Sequence, residues 1–340
     1  DVRLHVQVRT HHNSRTKEES PIMTKDFTLR PVQESDFPGI AAIETAMGPE
    51  AADPRQLAQR ERLGRIDPKY PMHWFSAIAP EGTVAGFGMA GKADWLGPDK
   101  CRTYFGVLPA YRGRGLGSRL LGYAEAVVGR YSPKSILVTC RGTDDESYQW
   151  GLRRGFSFVR QRTESVLDLA RFDAARFTDR VNRVVAQGIE ILTLPLKDAE
   201  PYWRGLYDIS VSTFMDVPFA EADSEPASYE TWLEDYFSTA GETLVVLAID
   251  RGKVVGMTDI CLPTVEGQGA GIGYTGVLKS HRGRGLAWCL KVRGAEAAKE
   301  AGAKWIRTDN DPGNLAILSI NDQLGFQWVP GPRVLEKKMQ

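Results

Sequence analysis

The chain has 340 residues, with 43 basic and 43 acidic side chains and therefore no net charge, a balance that gives no support for a nucleic-acid-binding surface. A hydrophobic content of 42% is typical of a globular protein, and the length is sufficient for two domains, while no apolar run approaches the roughly 20 residues of a membrane-spanning helix. The four cysteines are scattered without a CxxC pair, which argues against disulfides and zinc sites and favours a cytoplasmic location.

The amino-terminal segment is polar. It includes His5, His11 and His12 and lacks the apolar stretch of a secretion signal. We interpret residues 1–23 as a leader that is either disordered or left over from cloning, with a metal-binding histidine tract as the alternative.

Residues 24–170 alternate between strand-like and helix-like patterns, and we predict one domain here. The predicted strands cover residues 27–30, 74–78, 84–87, 104–108 and 135–138, with further strands around Phe158 and Val166 that close the unit. Helices are predicted near residues 36–47 and 146–153. The helix that begins after Gly115 has an apolar face with a period of 3.6 residues, formed by Leu116, Leu120, Leu121, Ala124, Val127 and Val128.

The second part of the chain repeats this order of elements. Residues 171–187 mix apolar and charged side chains and predict a helical linker on the surface. Residues 188–340 form the second predicted domain. Its strands are predicted at residues 189–194, 244–249, 254–257, 272–277 and 305–307, and its helices around residues 202–213 and 315–324. Helices that lie between strands predict a mixed α/β fold in both domains.

A glycine-rich motif occurs twice, at an offset of 170 residues. The copies are Arg112-Gly113-Arg114-Gly115-Leu116-Gly117 and Arg282-Gly283-Arg284-Gly285-Leu286-Ala287. The same offset relates Gly86 to Gly256, Tyr104 to Tyr274, and the Gly-Phe pairs that begin at residues 155 and 325. Several matches in one register indicate a duplicated domain.

Each motif lies between a strand and a helix, where it is suited to bind a phosphate group. Glycines let the backbone approach an anion, and the amides and dipole of the first helical turn attract it. The preceding strand offers free backbone groups to an extended ligand that contains amides. The pattern is neither the dinucleotide fingerprint nor a P-loop, because the later glycine and the Gly-Lys-Ser/Thr sequence are missing. An ordinary strand-to-helix turn is the alternative.

Residues from about 27 to 340 resemble the tandem members of the GNAT acetyltransferase superfamily. The resemblance lies in residues 107–117 and, almost as closely, in residues 277–287. It implies two domains of the α+β type, each with a mixed, mostly antiparallel sheet that is flanked by helices and splayed by a bulge beside the motif. It also implies that acetyl-CoA lies in this split, with its pyrophosphate on the loop, and that an amine attacks the thioester directly.

The resemblance assigns acetyl-CoA to residues of both copies and of a second motif. They are Val107, Arg112, Gly113, Arg114, Gly115, Leu116 and Gly117 in the first half, and Val277, Arg282, Gly283, Arg284, Gly285, Leu286, Ala287 and Asn314 in the second. The tyrosine with which the family protonates the departing thiolate is replaced by Asn321 in the second half and by Gly151 in the first. Asn321 is a candidate hydrogen-bond donor to the sulfur, or else a helix residue that bonds to the backbone.

Charge distinguishes the two copies. Between Asp216 and Ala240 there are seven acidic and no basic residues, interleaved with aromatic ones. We expect Asp216, Trp232 and Tyr236 to bind a small cationic amine; a solvated acidic helix face is the alternative. The corresponding part of the first half is basic and would repel an ammonium group. Its basic residues are Arg55, Arg60, Arg62, Arg65 and Lys69.

Asp259 is the candidate general base. It follows Gly256 by three residues, close to where the thioester is expected, and the repeat matches it to Met89. A buried carboxylate with a raised pKa can accept the ammonium proton, directly or through water. Glu266 is a weaker candidate, and a surface acid at a strand end is the alternative role for Asp259.

These patterns predict a cytoplasmic N-acetyltransferase that uses acetyl-CoA and acetylates a small cationic amine in its carboxy-terminal half, with no nucleic-acid, membrane or metal partner. Two alternatives stay open. The amino-terminal half is the catalytic one and the carboxy-terminal half binds substrate, or both halves bind acyl-CoA without chemistry. The sequence identifies neither the amine nor the oligomeric state.

Overall fold

The computed structural model describes residues 22–23, 26–48, 52–66, 69–93, 95–216, 226–239, 242–263 and 269–339. Its strands are β1 (Ile22–Met23), β2 (Thr28–Pro31), β3 (Met72–Ile78), β4 (Val84–Gly91), β5 (Lys100–Val107), β6 (Ser135–Cys140), β7 (Ser157–Asp168), β8 (Ile189–Pro195), β9 (Thr243–Asp250), β10 (Lys253–Cys261), β11 (Ala270–Val277), β12 (Trp305–Asn310) and β13 (Gln327–Lys338). Its helices are α1 (Phe37–Met47), α2 (Pro54–Ile66), α3 (Leu116–Gly129), α4 (Asp145–Arg153), α5 (Thr178–Val185), α6 (Trp203–Thr213), α7 (Tyr229–Thr239), α8 (Leu286–Glu300) and α9 (Leu315–Leu324).

All the described strands form one sheet, in the order β1-β2-β3-β4-β5-β6-β13-β7-β12-β11-β10-β9-β8. The last strand of each half lies in the other half of the sheet. β13 pairs with β6, β7 pairs with β12, and the two repeated strands pair with each other in the middle. The prediction that strands around Phe158 and Val166 close the first unit is therefore wrong: they are one strand, and its neighbours are β12 and β13. The boundaries at residues 24–170 and 188–340 stay a prediction, and the sheet is continuous across them.

The sheet is antiparallel except at β5–β6 and β11–β12. These two parallel pairs occupy matching places in the two halves, and the first strand of each pair, β5 or β11, leads into the glycine motif. The mixed α/β fold and the mostly antiparallel sheets predicted from the sequence are confirmed. None of the helices in the described part of the chain is long and apolar enough to cross a membrane.

The helices after the glycine motifs pack their apolar faces on the sheet. All six residues predicted for the face of α3 are buried, and α8 buries the matching positions Leu286 and Leu290. On the acceptor side expected from the sequence, α2 of the first half packs against α7 of the second. The basic helix and the acidic helix therefore lie side by side, which lowers the net charge of both surfaces.

The segment between the halves contains α5, which packs against α8. Phe177, Val181 and Val184 are buried in the core cluster that α8 joins, and the Arg180 guanidinium lies 4.1 Å from the ring centroid of Trp288. At the amino-terminal end, β1 pairs with β2. The rest of the predicted leader, including its three histidines, lies outside the described residues.

One lysine is buried in the second half. Lys291, on α8, stands where the repeat has Leu121, and only 2% of its surface is exposed. Its Nζ lies 5.5 Å from the centroid of the Phe326 ring, and it makes no salt bridge within the described residues. Burial lowers the pKa of Lys291 from 10.5 to about 7.

We predict that Lys291→Leu stabilises the protein. Because the pKa of Lys291 is lower in the folded chain than in the unfolded one, stability should rise as the pH increases from about 7 to about 10.5. The leucine variant should lose this dependence and gain on the order of 2 kcal/mol in the free energy of unfolding near pH 6. Urea denaturation near pH 6 and about pH 9 measures both effects, with the exposed Lys304→Leu as the control. A destabilised Lys291→Leu protein at both pH values would contradict the prediction.

Candidate active site

Both glycine motifs form the same turn into a helix. Gly113 and Gly115 have φ angles of 76°, and Gly283 and Gly285 have 75° and 86°, in the left-handed region that favours glycine. Gly115 and Gly285 directly precede α3 and α8, whose first-turn amides have no partner within the helix. A Cβ atom at Gly113, Gly115 or Gly283 would meet no described atom within 4 Å. The loops therefore leave open space next to free amides, as a phosphate group requires.

The first arginine of each motif forms a hydrogen bond to the strand that precedes the loop. Arg112 Nε donates to the carbonyl oxygen of Val107 at 3.3 Å, and Arg282 Nε donates to that of Val277 at 3.1 Å. The side chains of Leu116 and Leu286 are buried in the core, so both residues can offer a ligand only their backbone amides. Gly117 and Ala287 lie half-buried one position further along.

The remaining arginine contacts differ between the loops. Arg282 forms a salt bridge with Asp216, which also lies 3.3 Å from Lys279 Nζ. Arg284 donates to Gln187 Oε1 at 2.8 Å and lies 3.4 Å from Asp250. In the first half, Arg112 and Arg114 form no salt bridge with the described residues, and the Arg114 guanidinium lies 5.1 Å from the centroid of the Tyr111 ring. The first loop is thus more positive than the second.

Each parallel strand pair opens into a split. β5 pairs with β6 from Lys100 to Thr103, so residues 104–107 have no partner on that side. β11 pairs with β12 only at Ala270 and Gly271, so its freed part covers residues 272–277, two residues more than that of β5. The second split is therefore the longer one.

A bulge distinguishes the second split. The register of β10 and β11 shifts between Thr258 and Ile260, so that Gly273 and Tyr274 together face Asp259. In the first half the matching strands keep an unbroken register, with Met89 opposite Tyr104. The bulge that the family resemblance implies beside each motif is absent from this strand pair of the first half.

The Asp259 carboxyl group accepts a backbone hydrogen bond at the bulge. Its Oδ1 accepts a hydrogen bond from the amide of Tyr274 at 2.6 Å, and its Oδ2 accepts one from the Tyr236 hydroxyl at 3.1 Å. Only 4% of the residue is exposed. Burial raises the pKa of Asp259 to about 6, although these hydrogen bonds lower it. The alternative role of Asp259, a surface acid at a strand end, is wrong, because the carboxyl group is buried.

Asp259 lines a pocket of about 250 Å³ together with aromatic residues of α7 and β11. The rings of Trp232 and Tyr236 stack with their centroids 4.8 Å apart, and the Tyr274 hydroxyl shares a hydrogen bond with Thr213. Burial and the negative charge of Asp259 raise the pKa of Tyr236, which therefore stays a hydrogen-bond donor. The pocket thus combines aromatic faces with one ionisable carboxyl group.

Three of the predicted site residues, Asp259, Trp232 and Tyr236, meet in this pocket. Asp216 does not line it, since the structure places Asp216 on the phosphate loop, beside Arg282. Of the other acidic residues in that stretch, Glu221, Asp223 and Glu225 lie outside the described residues, as does Glu266. Among the described residues, no group of three or more His, Cys, Asp or Glu side chains is placed to hold a metal ion.

The two predicted asparagines have structural contacts. Asn314 caps α9, where its Oδ1 accepts from the amide of Ile317 at 3.4 Å. Asn321 is fully buried and donates from Nδ2 to Asn310 Oδ1 at 3.0 Å, while its own Oδ1 has no partner within the described residues. The side chain of Asn321 thus bonds to another side chain and not, as in the alternative, to a backbone group.

Sequence reasoning missed two residues that shape these sites. A Cβ atom at Gly273 would lie 2.7 Å from Asp259 Oδ1, so only glycine leaves room for the carboxylate. At the offset of 170 residues the first half has Thr103, and this difference in the sequence could have identified Gly273. Glu44 accepts a hydrogen bond from Tyr104 at 3.0 Å, and nothing in the local pattern of α1 marks it.

Comparison with known proteins agrees with this geometry. The model of the acetyltransferase (GNAT) family matches residues 38–156 and 203–326. A tandem GNAT protein from the clavulanic acid biosynthesis pathway has a similar structure, with 20% identity and a TM-score of 0.73 over 92% of this chain and 98% of that one. A GCN5-related N-acetyltransferase from Sphaerobacter thermophilus is 19% identical, with a TM-score of 0.60 over 92% of this chain and 95% of that one.

At these identities the likeness to solved structures shows the fold alone, and no curated protein sequence matches the chain significantly. The family model, however, covers more than half of the residues and both halves of the repeat. The chain belongs to the GNAT family of acetyltransferases, which use acetyl-CoA, and it is a tandem member of that family.

Proposed function

We propose that the second half of the chain transfers the acetyl group of acetyl-CoA directly to the nitrogen of a small cationic amine. The observation that carries the proposal is the position of Asp259, a buried carboxyl group with a pKa of about 6 in the wall of an aromatic pocket. It lies at the bulge where β11 leaves its parallel neighbour.

The residues of the second loop fit the pyrophosphate of acetyl-CoA. Gly283 and Gly285 hold the backbone open, and the first turn of α8, which begins at Leu286 and Ala287, supplies amides and a positive dipole. When bound, acetyl-CoA supplies an acetyl group activated as a thioester. The freed backbone groups of residues 272–277 remain available to its amide-containing arm.

The pocket suits a cation. The faces of Trp232, Tyr236 and Tyr274 attract positive charge, and the carboxylate of Asp259 adds a full negative charge at neutral pH. Next to this pocket, the Tyr207 ring packs edge-to-face on Trp232 and already contacts a cation of the protein itself, since the Arg204 guanidinium lies 5.4 Å from its centroid. A volume of about 250 Å³ limits the acceptor to a small molecule.

Asp259 is suited to accept the ammonium proton. Above pH 6 it is ionised, and its pKa lies close enough to neutral pH for general base catalysis. Asn321 has no proton that it can give up, so its proposed role is limited to a hydrogen bond to the departing sulfur. The prediction that Asn321 is catalytic stays a prediction.

We predict that Asp259→Asn lowers kcat/KM by about 100- to 1000-fold at neutral pH. In the native enzyme kcat/KM should fall below about pH 6, because Asp259 becomes protonated and can no longer act as a base. The variant should lose this decline and keep its fold, because the amide oxygen can still accept from Tyr274. Free thiol released from acetyl-CoA with a panel of cationic amines measures the rate.

Asp208→Asn, which removes an exposed acid on α6, is the matched control. Full activity of Asp259→Asn would mean that the carboxylate has only a structural role at the bulge and is not the general base. Failure of the native protein to turn over any amine would support the alternative in which both halves only bind acyl-CoA.

Tyr236→Phe should move the acid limb of the pH–rate profile to higher pH. The Tyr236 hydroxyl donates to Asp259 and lowers the pKa of that carboxyl group. Its removal should raise this pKa by up to about one unit, so kcat/KM should fall more near pH 6 than near pH 8. Tyr229→Phe, in the same aromatic cluster, should leave the profile unchanged. An unchanged pH–rate profile in Tyr236→Phe would show that Tyr236 does not affect the pKa of the general base.

Asp216 competes with the cofactor for Arg282. Its salt bridge must open if Arg282 is to contact the pyrophosphate. We predict that Asp216→Asn tightens acetyl-CoA binding to the second loop about two- to fivefold, the effect of one exposed ion pair. Calorimetric titration in an Arg112→Glu background, which disables the first loop, isolates this site, and Asp208→Asn again serves as control. Weaker binding would show instead that Asp216 holds Arg282 in place.

A further inference from the structure

The first half contains a half-buried acid that the activity proposed above does not use. Glu44, on α1, accepts a hydrogen bond from the Tyr104 hydroxyl at 3.0 Å. Burial raises the pKa of Glu44, although the bond from Tyr104 and the positive charges of Arg60 and Arg141 lower it. The carboxyl group therefore lies within electrostatic reach of two guanidinium groups.

The acid is located at the head of the first split. Tyr104 is the first residue of β5 beyond the part paired with β6. α1 packs directly on the freed part of β5, since a Cβ atom at Gly106 would lie 2.4 Å from Met47 Sδ and 2.9 Å from Ile43 Cγ2. In the second half Asp259 accepts a hydrogen bond from Tyr274. Each half thus holds one carboxyl group beside the same tyrosine of the repeat, half-buried at Glu44 and buried at Asp259.

Two positive charges lie near Glu44. Arg141 directly follows β6, on the other arm of the first split, and the repeat matches it to Asp311 in the second half. Arg60 projects from the basic helix α2. Both arginines are exposed, and within the described residues neither forms a salt bridge. The mouth of the first split therefore offers one carboxyl group and two guanidinium groups that form no salt bridge within the described residues.

We propose that the first half holds a second acceptor site, for amines that carry a carboxylate. Glu44 pairs with the ammonium group of such a zwitterion, and Arg60 and Arg141 pair with its carboxylate, which guanidinium groups bind through paired hydrogen bonds. The proposal rests on membership of the family and on the first loop, and it is independent of the activity proposed for the second half.

Two protons leave the ammonium nitrogen during acetyl transfer at this site. Glu44 accepts one proton from the ammonium group and later releases it to water. The nitrogen forms a bond to the acetyl carbon while the carbon–sulfur bond breaks. A second proton leaves the nitrogen and ends on the sulfur. The products are an N-acetylated amino acid and coenzyme A with a free thiol.

Matched ligand pairs test the binding. The full chain, saturated with coenzyme A, is titrated calorimetrically with glycine, β-alanine and γ-aminobutyrate, and with ethylamine, propylamine and butylamine, in which a methyl group replaces the carboxylate. At least one amino acid should bind, and Arg60→Ala and Arg141→Ala should each raise its Kd about tenfold. Arg62→Ala, which removes an exposed charge from the same helix, should not. No saturable binding of any amino acid, or binding insensitive to both arginines, overturns the proposal.

Turnover separates the two sites. Glu44→Gln, which keeps an acceptor for Tyr104, should lower kcat/KM for the bound amino acid about 100-fold and leave acetylation of cationic amines unchanged. Asp259→Asn should show the reverse pattern. Equal loss of both activities in Glu44→Gln contradicts the proposal. If Asp259→Asn loses neither of the two activities, Asp259 is not the base of the second half, and the proposal for the first half is unaffected.

Discussion

The antiparallel pairing of β7 with β13 is the contact on which the rest of the structure depends. These strands occupy the same position in the two copies of the repeat, and each is bonded on its other side to a strand of the opposite half. Neither half of the sheet can be completed by its own residues, so the backbone hydrogen bonds of both halves form together. Packing of α2 against α7 adds a second contact between the halves.

Within this shared sheet, duplication explains what the halves have in common, and a few buried differences explain what separates them. Both loops keep their left-handed glycines and the arginine that bonds to the preceding strand. A buried carboxylate, by contrast, is costly unless hydrogen-bond donors surround it. In the second half, the bulge supplies a backbone donor to the carboxylate and Gly273 leaves room for it. The first half has a regular ladder and Thr103 instead.

Local patterns predicted much of the fold and part of the site. The apolar period of α3, the glycine loops and the position of Asp259 depend on neighbouring residues, and the sequence therefore revealed them. The partners of β7 depend on residues far along the chain. Because the repeat makes β7 and β13 alike, the sequence pattern cannot decide which of them completes which half. The salt bridge of Asp216 was missed for a similar reason: its acidic neighbours suggested an amine site, while the fold brings it to Arg282.

The repeated tyrosine shows how one position supports two different sites. In the second half, the bulge turns the backbone amide of Tyr274 toward a carboxylate on β10. In the first half the strands stay in register, and the Tyr104 hydroxyl bonds instead to a carboxylate on α1. The two acids therefore come from different elements, and neither has a counterpart in the other copy, where Met89 and Ser210 occupy the matching positions. Because the acids are not repeated, changing one leaves the other half chemically intact.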